Sequence, residues 1–359
     1  MTDGIRRKIE AGERLTRDEG VWLYERGDIL DLGELASIVR ERKSGNRTYF
    51  IVNRHVNYTN VCTNHCRFCA FSREQGQDGA YTMTLPEILE AATAGDESFS
   101  ELHIVGGLHP DLPFSYYTEM LSQLKGALPD VHMQAFTAVE IAHLATLADL
   151  PIRETLEQLI EAGLGSLPGG GAEVFSARVR EVVCPSKLPG AEWLDVMRAA
   201  HELGLRSNAT MLYGHVETVE EKVDHLIALR ELQDDTSGFM AYIPLAYHSA
   251  NTDLGGRPST TGIEDLREVA IGRLMLDSFD HVKSFWIMQG IKLAQVSLAF
   301  GADDLDGTVV EEKITHAAGA TTPQALTREE LCDLIREAGR VPVERDTVYN
   351  VLRIEETPA

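Results

Sequence analysis

Short apolar runs alternate with longer amphipathic stretches along most of this chain. From about residue 45 onward, each run is rich in β-branched or apolar residues and is followed by a stretch with helical periodicity. Strands separated by helices in this way predict βαβ units on a parallel sheet. We place the predicted strands at Tyr49–Val56, Glu101–Val105, Val131–Thr137, Gly165–Leu167, Arg206–Tyr213, Gly238–Ile243, His281–Ile287 and near Leu298–Gly301.

Eight strands that alternate with helices predict an α/β fold, a (β/α)8 barrel of the TIM type. The 359 residues are close to the length of one such barrel with modest extensions, and a hydrophobic content of 43% suffices for a large core. We expect residues 1–44 to form an N-terminal helical extension, residues 45–306 the barrel core, and residues 307–359 a C-terminal helical tail that packs on the barrel. An open barrel of six strands with flanking pieces is the alternative.

The charge of the chain excludes several classes of partner. It has 56 acidic and 33 basic residues, which gives a formal net charge of −23. Such an excess of negative charge repels phosphate backbones and anionic lipid, so we expect binding neither to nucleic acid nor to membranes. No apolar run approaches the roughly 20 residues that cross a bilayer, and residues 1–17 lack the apolar segment of a signal peptide. We therefore expect a cytoplasmic protein.

Three of the five cysteines, Cys62, Cys66 and Cys69, lie in one CxxxCxxC segment directly after the first predicted strand. An odd, clustered set of thiols is not typical of a disulfide framework and suggests a metal site. Each of three neighbouring thiolates can bind one iron of a four-iron cluster, which leaves the fourth iron open to an exogenous ligand. The other two cysteines, Cys184 and Cys332, are not expected to be ligands.

Two alternatives remain for the three-cysteine loop. The spacing of the cysteines also fits one buried face of a helix, although Thr63, Asn64 and Arg67 are unusual in a core helix. A zinc site would need a histidine as its fourth ligand. His65 is adjacent to Cys66, which makes joint coordination awkward, and we therefore favour the cluster.

Glycine-rich turns follow several of the predicted strands, at the end of a barrel where enzymes keep their chemistry. Gly106 and Gly107 follow the second strand, Gly169 and Gly170 the fourth, and Gly214 the fifth. Glycine allows backbone groups to approach a bound ligand closely. Ordinary turns between strands and helices would account for the same glycines.

The cysteine loop, with Phe68 directly before its last cysteine, resembles the signature of the radical S-adenosylmethionine (SAM) superfamily. The resemblance implies a [4Fe-4S] cluster on Cys62, Cys66 and Cys69, whose open iron binds SAM and whose electron cleaves it to methionine and a 5′-deoxyadenosyl radical. Leu108 stands where the superfamily usually has a glutamate, and Thr210 where a glycine is usual. The implied cofactor-binding residues are Phe68, Gly106, Gly107, Glu140, Gly169, Gly170, Thr210 and Gly214.

Longer segments resemble the aminofutalosine synthases of the futalosine route to menaquinone. These segments are Asn57–Phe71, Val105–Pro113, Phe136–Ile141, Leu167–Phe175 and Asn208–Glu217. The resemblance implies that SAM is consumed as a co-substrate. Its radical adds to 3-[(1-carboxyvinyl)oxy]benzoate, and the products are 6-amino-6-deoxyfutalosine, bicarbonate and methionine. It also implies a reductant protein such as flavodoxin or ferredoxin.

Related activities remain open at this point. Dehypoxanthine futalosine cyclases and deazaflavin synthase subunits share the same loop and barrel. A zinc-dependent barrel hydrolase and a non-catalytic iron–sulfur protein are alternatives of a different class.

The implied substrate carries two carboxylates, so an acidic chain must present local cations or amide donors to hold it. We expect these groups among basic residues at the ends of predicted strands and in the long loop after the sixth strand. The candidates are Arg54, His55, His109, His215, His248 and Arg257.

Overall fold

The chain begins with three helices. The computed structural model describes residues 2–95, 97–254 and 259–355. Helices α1 (Thr2–Ala11), α2 (Arg17–Arg26) and α3 (Ile29–Ser44) precede the first strand, which confirms the predicted N-terminal helices. The buried Arg40 of α3 donates to the carbonyl oxygens of Gly45, Arg47 and Ala302, and thereby ties this extension to the rest of the molecule.

The strands of the barrel are parallel. Strand β1 (Arg47–Ile51) runs into β2 (Asn53–Val56) through Val52. A seven-stranded parallel sheet with the order β2-β3-β4-β5-β6-β7-β8 starts from there. Its other strands are β3 (Glu101–Ile104), β4 (His132–Ala135), β5 (Ser166–Leu167), β6 (Arg206–Tyr213), β7 (Phe239–Ala246) and β8 (His281–Val282).

Strand β9 (Asp304–Gly307) fills the gap between the two edges of this curled sheet. It pairs in parallel with β1, and isolated parallel bridges join Lys283 to Asp304 and Arg54 to Val310. Eight parallel strands therefore surround the interior, which confirms the predicted α/β barrel. The predicted position of the last strand, near Leu298–Gly301, was wrong. The true strand is hard to find because it contains the buried Asp304 and Asp306, whose charges are compensated by Arg345 and Lys283 from other parts of the chain.

Ten helices connect the strands of the barrel in the described part of the chain. They are α4 (Leu85–Thr93), α5 (Phe114–Ala127), α6 (Ala138–Ala148), α7 (Ile152–Ala162), α8 (Ala177–Val183), α9 (Gly190–Glu202), α10 (Val219–Thr236), α11 (Gly262–Met275), α12 (Trp286–Gln289) and α13 (Ile291–Ser297). Several of these helices begin at a capping box, for example α4 at Thr84 and Glu87, and α6 at Thr137 and Glu140. No helix of the described residues is long and apolar enough to cross a membrane.

The C-terminal tail contains strands as well as helices. Helices α14 (Ile314–Ala317) and α15 (Arg328–Glu337) are followed by β10 (Val341–Arg345) and β11 (Val351–Ile354). Strand β10 pairs in parallel with β1, and β11 pairs antiparallel with β10, so a second sheet has the order β11-β10-β1-β9. The expectation of a purely helical tail was incomplete, because pairing with β1 depends on a distant partner. The boundaries at residues 44 and 306 stay a prediction.

Candidate active site

A cavity of about 330 Å³ lies at the carboxyl ends of the barrel strands and extends between them. Its upper part is lined by Cys62, Cys66, Cys69 and Phe68, as the sequence predicts for a cofactor site. Polar side chains line its inner end. They come from β2, β3, β4 and β9 and from the segment that follows β8. The cavity therefore has a sulfur-lined entrance and a polar floor.

Backbone hydrogen bonds hold the cysteine loop in place. The amide of Cys62 donates to the carbonyl of Arg73 at 3.1 Å, and the amide of Thr63 donates to that of Leu108 at 3.1 Å. His65 has a φ of 44°, so the chain turns through the left-handed region between the first two cysteines. The cysteines lie in an irregular loop, which rules out the buried helix face as an interpretation of their spacing.

Gly106 and Gly107 allow the cysteine loop to pack against the end of β3. A Cβ atom on Gly107 would lie 2.2 Å from the carbonyl oxygen of Val61, and one on Gly106 would lie 2.7 Å from the Tyr58 ring. Both glycines also line the cavity. Close backbone packing against the loop is thus one physical reason for this glycine pair.

Glu140 is buried beneath this turn and organises it. Its Oε1 accepts from Tyr58 Oη at 2.9 Å and from the Gly106 amide at 3.0 Å, and its Oε2 accepts from the amide and hydroxyl of Thr137 at 2.8 Å each. Burial raises the pKa of Glu140, although these donors oppose the shift. The carboxyl group lines the cavity and fixes the orientation of the Gly106 backbone.

The turn after β5 packs against β6. Thr210 Oγ1 donates to the Gly169 carbonyl at 2.7 Å, and Trp193 Nε1 donates to that of Gly170 at 3.1 Å. A Cβ atom on Gly169 would lie 2.7 Å from the carbonyl oxygen of Asn208. Asn208 lines the cavity, and its Oδ1 is buried without a hydrogen-bond partner among the described residues. A ligand that donates a hydrogen bond here would satisfy this oxygen.

A buried ion pair that no sequence motif predicts lies beside the cysteine loop. Lys187 Nζ donates to Glu173 Oε1 at 2.6 Å and lies 5.3 Å from the centroid of the Phe68 ring. Burial alone would lower the pKa of Lys187, but Glu173 and the neighbouring thiol of Cys66 outweigh it and raise the pKa. A permanent cation therefore faces the sulfur-lined part of the cavity.

Cys184 also lies closer to the loop than the sequence suggests. Its thiol lies close to that of Cys66, although Cys184 is not part of the lining of the cavity. This contact and burial raise the pKa of Cys66. Cys332 is buried on α15, away from this cavity.

The donor set fits an iron–sulfur cluster better than a single zinc ion. Three thiols from one loop face one cavity, and in a cluster each thiolate binds a different iron. Within residues 2–95, 97–254 and 259–355, no three His, Cys, Asp or Glu side chains are arranged to hold one metal ion. The Cys3His tetrahedron of the zinc alternative therefore has no counterpart in this part of the chain.

Five side chains form the floor of the cavity, and we call them the floor cluster: His55, His103, Gln134, Lys283 and Asp306. The rings of His55 and His103 stack with centroids 4.5 Å apart. His103 Nδ1 lies 3.0 Å from Gln134 Oε1, and Lys283 Nζ donates to Asp306 Oδ1 at 3.1 Å. The parallel register places His55 opposite His103 and His103 opposite Gln134, which brings these side chains into one layer.

Of the basic residues that were predicted for substrate binding and that the structure describes, two line the cavity, namely His55 and His248. Arg54 faces outward, where it donates to the carbonyls of Ala91 and Ala92, because successive residues of a strand face opposite sides. Among the described residues, the lysines that line the cavity are Lys187 and Lys283, and neither was predicted from the sequence. Their ion pairs with Glu173 and Asp306 join positions that short motifs do not connect.

Three other residues that were predicted to bind substrate or cofactor do not line the cavity. They are His109, His215 and Gly214. His109 Nδ1 accepts from the Asp111 amide at 3.1 Å, and His215 Nδ1 accepts from the Val216 amide at 2.8 Å, so both rings stabilise their own turns. The amide of Gly214, which has a φ of 90°, donates to Glu217. Arg257 lies outside the described residues.

Comparison with known protein families identifies two matching regions. The model described as the radical SAM superfamily matches residues 56–229. The model described as the CofH/MqnC C-terminal region matches residues 236–357. Together these regions include the cysteine loop, most of the barrel and the tail.

Several characterised proteins are similar to this chain over most of its length. The aminodeoxyfutalosine synthase of Streptomyces coelicolor is 48% identical over 100% of this chain and 97% of its own. That of Thermus thermophilus is 46% identical over 98% of this chain and 95% of its own. The 5-amino-6-(D-ribitylamino)uracil–L-tyrosine 4-hydroxyphenyl transferase of Methanopyrus kandleri is 42% identical over 86% of each chain.

A solved structure supports the fold. The crystal structure of methylornithine synthase (PylB) superposes with a TM-score of 0.74, covering 94% of this chain and 97% of that chain. The sequence identity is 17%, so this comparison concerns the fold alone.

Proposed function

This chain belongs to the radical SAM superfamily, and we propose that it catalyses the aminodeoxyfutalosine synthase reaction of menaquinone biosynthesis. In this reaction the 5′-deoxyadenosyl radical adds to the vinyl carbon of 3-[(1-carboxyvinyl)oxy]benzoate. The products are 6-amino-6-deoxyfutalosine, bicarbonate and methionine, and the balanced reaction consumes one water and releases one proton. SAM is a co-substrate, because its adenosyl group ends in the product.

The observation that carries this proposal is a three-thiol cavity in a chain with full-length similarity to two such synthases. We assign Cys62, Cys66 and Cys69 as the ligands of a [4Fe-4S] cluster. When bound, the cluster supplies the electron that cleaves SAM. Lys187 places a positive charge beside the thiolates, and its ammonium group lies 5.3 Å from the centroid of the Phe68 ring, which also lines the cavity.

The glycine turns are well placed to orient SAM. The Gly106 amide donates to Glu140 and the Gly107 amide donates to the Thr59 carbonyl, so the turn offers carbonyl acceptors to a ligand. Such acceptors suit the cationic amino group of SAM. On the opposite side we expect Gly169, Gly170 and Thr210 to contact the adenosyl part, with Asn208 Oδ1 accepting one of its hydrogen bonds.

An apolar wall between these turns and the floor suits the aromatic ring of the substrate. The wall restricts water around the reacting carbon, and a fixed position of the alkene directs the radical to the substrate instead of the protein. The residues of this wall are Val105, Leu108, Leu212, Ile243, Leu245, Phe285 and Met288.

Product identification tests the proposal. Anaerobically reconstituted protein is incubated with SAM, dithionite and the enolpyruvyl benzoate, and the products are analysed by mass spectrometry. We expect an adenine-containing adduct with the mass of 6-amino-6-deoxyfutalosine, together with methionine. Free 5′-deoxyadenosine with a cyclised product from dehypoxanthine futalosine would instead identify a cyclase.

The similarity to the hydroxyphenyl transferase supports a second candidate activity. A parallel incubation therefore contains tyrosine and 5-amino-6-(D-ribitylamino)uracil in place of the benzoate. Turnover in this incubation alone would overturn the synthase assignment. A Cys62→Ala/Cys66→Ala/Cys69→Ala variant is the control for chemistry that does not depend on the cluster.

The proposal also covers the reductant and the compartment. We propose that flavodoxin or ferredoxin supplies the electron in the cytoplasm. None of the five cysteines forms a disulfide, which is typical of proteins in a reducing compartment. Reduction of the reconstituted protein by purified flavodoxin, followed by its absorbance, tests the electron donor.

A further inference from the structure

We propose that the floor cluster is a carboxylate-binding subsite, in which Lys283 and His55 hold the carboxylate on the aromatic ring of the substrate. This inference rests on the proposed function, because that function supplies an aryl substrate with one carboxylate on its ring and another on its enolpyruvyl group.

Lys283 provides the charge of this subsite. Its side chain lines the cavity and is only 4% exposed. Its ammonium group donates to Asp306 Oδ1 at 3.1 Å and has no other hydrogen-bond partner among the described residues. An ammonium group has three donors, so two remain for a ligand. A second carboxylate can therefore bind without displacing Asp306.

His55 provides a neutral donor beside this charge. The residue is 7% exposed and lines the cavity, and its ring makes no hydrogen bond to any other described residue. Its Nε2 is buried and has no hydrogen-bond partner among the described residues. A buried polar atom in this state costs free energy that a hydrogen-bonding ligand recovers. Because this unpartnered ring lines the cavity, a ligand in the cavity can supply the missing hydrogen bond.

Hydrogen bonds fix the state of His103, which stacks on His55. Gln134 Nε2 donates to Ser166 Oγ at 3.3 Å, so Gln134 Oε1 is free to accept from His103 Nδ1 at 3.0 Å. The proton of neutral His103 is therefore on Nδ1, and its Nε2 is an acceptor. The ring lines the cavity and can take up a second proton there.

The charges around the two rings imply that a carboxylate binds together with a proton. Glu101, Asp306 and Lys283 are the charged groups that face the rings. Burial, His103 and Lys283 hold the pKa of His55 well below its usual range, and burial lowers that of His103. A bound carboxylate raises both values. We therefore expect the histidine pair to take up protons as the substrate binds.

The position of the floor cluster determines the direction of the substrate. His55 is within β2, whereas the cysteine loop follows the end of the same strand, and both line one cavity. A ring carboxylate held at the floor leaves the enolpyruvyl group on the side of the cysteines. The vinyl carbon then faces the site that we assign to SAM.

Calorimetry with two ligands tests the subsite in the cluster- and SAM-loaded protein, kept oxidised so that no turnover occurs. The ligands are the enolpyruvyl benzoate and (1-carboxyvinyl)oxybenzene, which lacks the ring carboxylate. We expect the second ligand to bind wild-type protein roughly 10- to 100-fold more weakly, the range for one hydrogen bond to a charged group. Equal affinities would overturn the proposal without any variant.

Substitutions identify the residues responsible. Lys283→Met should weaken binding of the enolpyruvyl benzoate by roughly the same 10- to 100-fold and leave that of the shorter ligand unchanged. The matched control is Lys292→Met, an exposed lysine of α13, for which we expect no change with either ligand. A loss that is equal for both ligands in Lys283→Met would mean that Lys283 does not bind the ring carboxylate.

Asp306 is left unpaired in Lys283→Met, so the double variant Lys283→Met/Asp306→Asn provides a neutral pair of similar size. It should reproduce the ligand-dependent loss. His55→Gln should reduce the proton uptake that is measured from binding enthalpies in buffers of different ionisation enthalpy. Unchanged uptake in both His55→Gln and His103→Gln would contradict the coupled protonation.

The subsite and the proposed function fail in different ways. Ligand binding that depends on Lys283, without formation of the adduct, would support the subsite and reject the synthase reaction. Adduct formation with the same KM for both ligands would support the reaction and reject the subsite.

Discussion

Buried polar groups have different partners at the amino and carboxyl ends of the barrel. At the amino end, Asp304 is paired with Arg345 at 2.6 Å and Asp303 accepts from Arg273 at 2.6 Å. At the other end, His55 Nε2 and Asn208 Oδ1 are enclosed without partners. The ion pairs at the amino end hold the fold together, whereas the unpartnered groups that line the cavity are available to a ligand.

The difference shows how one barrel separates stability from chemistry. Strand β10 brings Arg345 to the start of β9, so the tail closes the amino end with a buried ion pair. The carboxyl end instead keeps a loop and two glycine turns around a cavity. Substitutions at the two ends should therefore affect different measurements.

Loss of the cysteine thiols should have the largest effect, confined to the carboxyl end. We expect Cys62→Ala, Cys66→Ala or Cys69→Ala each to abolish turnover and to remove most of the roughly four irons expected per chain, because each thiolate binds a different iron. The measurements are iron content, absorbance before and after dithionite, and product formation. Cys332→Ala is the matched control and should retain all three properties.

Cys184→Ala sharpens this test, because Cys184 contacts Cys66. We expect it to retain the cluster and turnover. Loss of iron in this variant with a normal fold would show that Cys184 belongs to the ligand set.

Arg345→Met should lower the stability of the fold by disrupting the amino end, without changing the cluster site at the carboxyl end. It leaves Asp304 buried and unpaired, which we expect to cost about 3–5 kcal/mol of unfolding free energy. Urea unfolding measures this loss, while iron content per folded chain should not change. The control is Arg353→Met on β11, an exposed ion pair that is expected to contribute about 0–1 kcal/mol. A stable Arg345→Met protein that lacks turnover would contradict the division of roles.

Gly107→Ala should disturb the contact between the glycine turn and the cysteine loop. The new methyl group would lie 2.2 Å from the Val61 carbonyl oxygen, so the loop must move. We expect a loss of about 1–3 kcal/mol and lower cluster occupancy. Gly126→Ala in α5 meets no atom within 4 Å and should stabilise the protein by about 0.5–1 kcal/mol. Full occupancy in Gly107→Ala would argue against this role of the glycine.

The smallest expected effect is a difference in pH dependence between the two ends. Burial alone would raise the pKa of Asp303, but Arg273 and His281 outweigh it and hold the pKa well below its usual range. Its stabilising contribution is therefore present above about pH 4 and is lost as the pH falls below that value. Glu140 has a raised pKa, so its contribution changes in the opposite direction and becomes more favourable on acidification.

Unfolding free energies between pH 7 and pH 3 test this contrast. Asp303→Asn should be less stable at pH 7 and show a shallower fall in stability with acidification, at about 1.4 kcal/mol for each pKa unit removed. Glu140→Gln should show a steeper fall. The same slope in both variants would mean that the two carboxyl groups do not titrate in opposite directions.

Local features of the molecule could be predicted from the sequence. The cysteine loop is encoded by spacing within eight residues, and most strands are encoded by apolar runs bounded by turns. Strand β9 was misplaced because Asp304 and Asp306 hide its buried character, and Arg345 and Lys283, which neutralise them, lie in other parts of the chain.

The substrate-binding residues were harder to predict, because they depend on side-chain direction within a strand and on tertiary packing. Arg54 and His55 are adjacent, and the phase of β2 alone decides that the histidine faces the cavity and the arginine faces α4. Lys187 and Lys283 carry no local motif, and their placement follows from tertiary packing. Composition predicted the need for local cations, whereas only the three-dimensional arrangement identifies them.

The position of β1 between β9 and β10 has a consequence for biosynthesis. Arg47 pairs with Val341, and Tyr49 pairs with Asp304, so the first strand gains both neighbours only after nearly the whole polypeptide has left the ribosome. Contacts between such distant segments form slowly. Insertion of iron and sulfide into the cysteine loop is therefore expected to follow release of the finished chain, and a ribosome-bound nascent chain should not yet retain them.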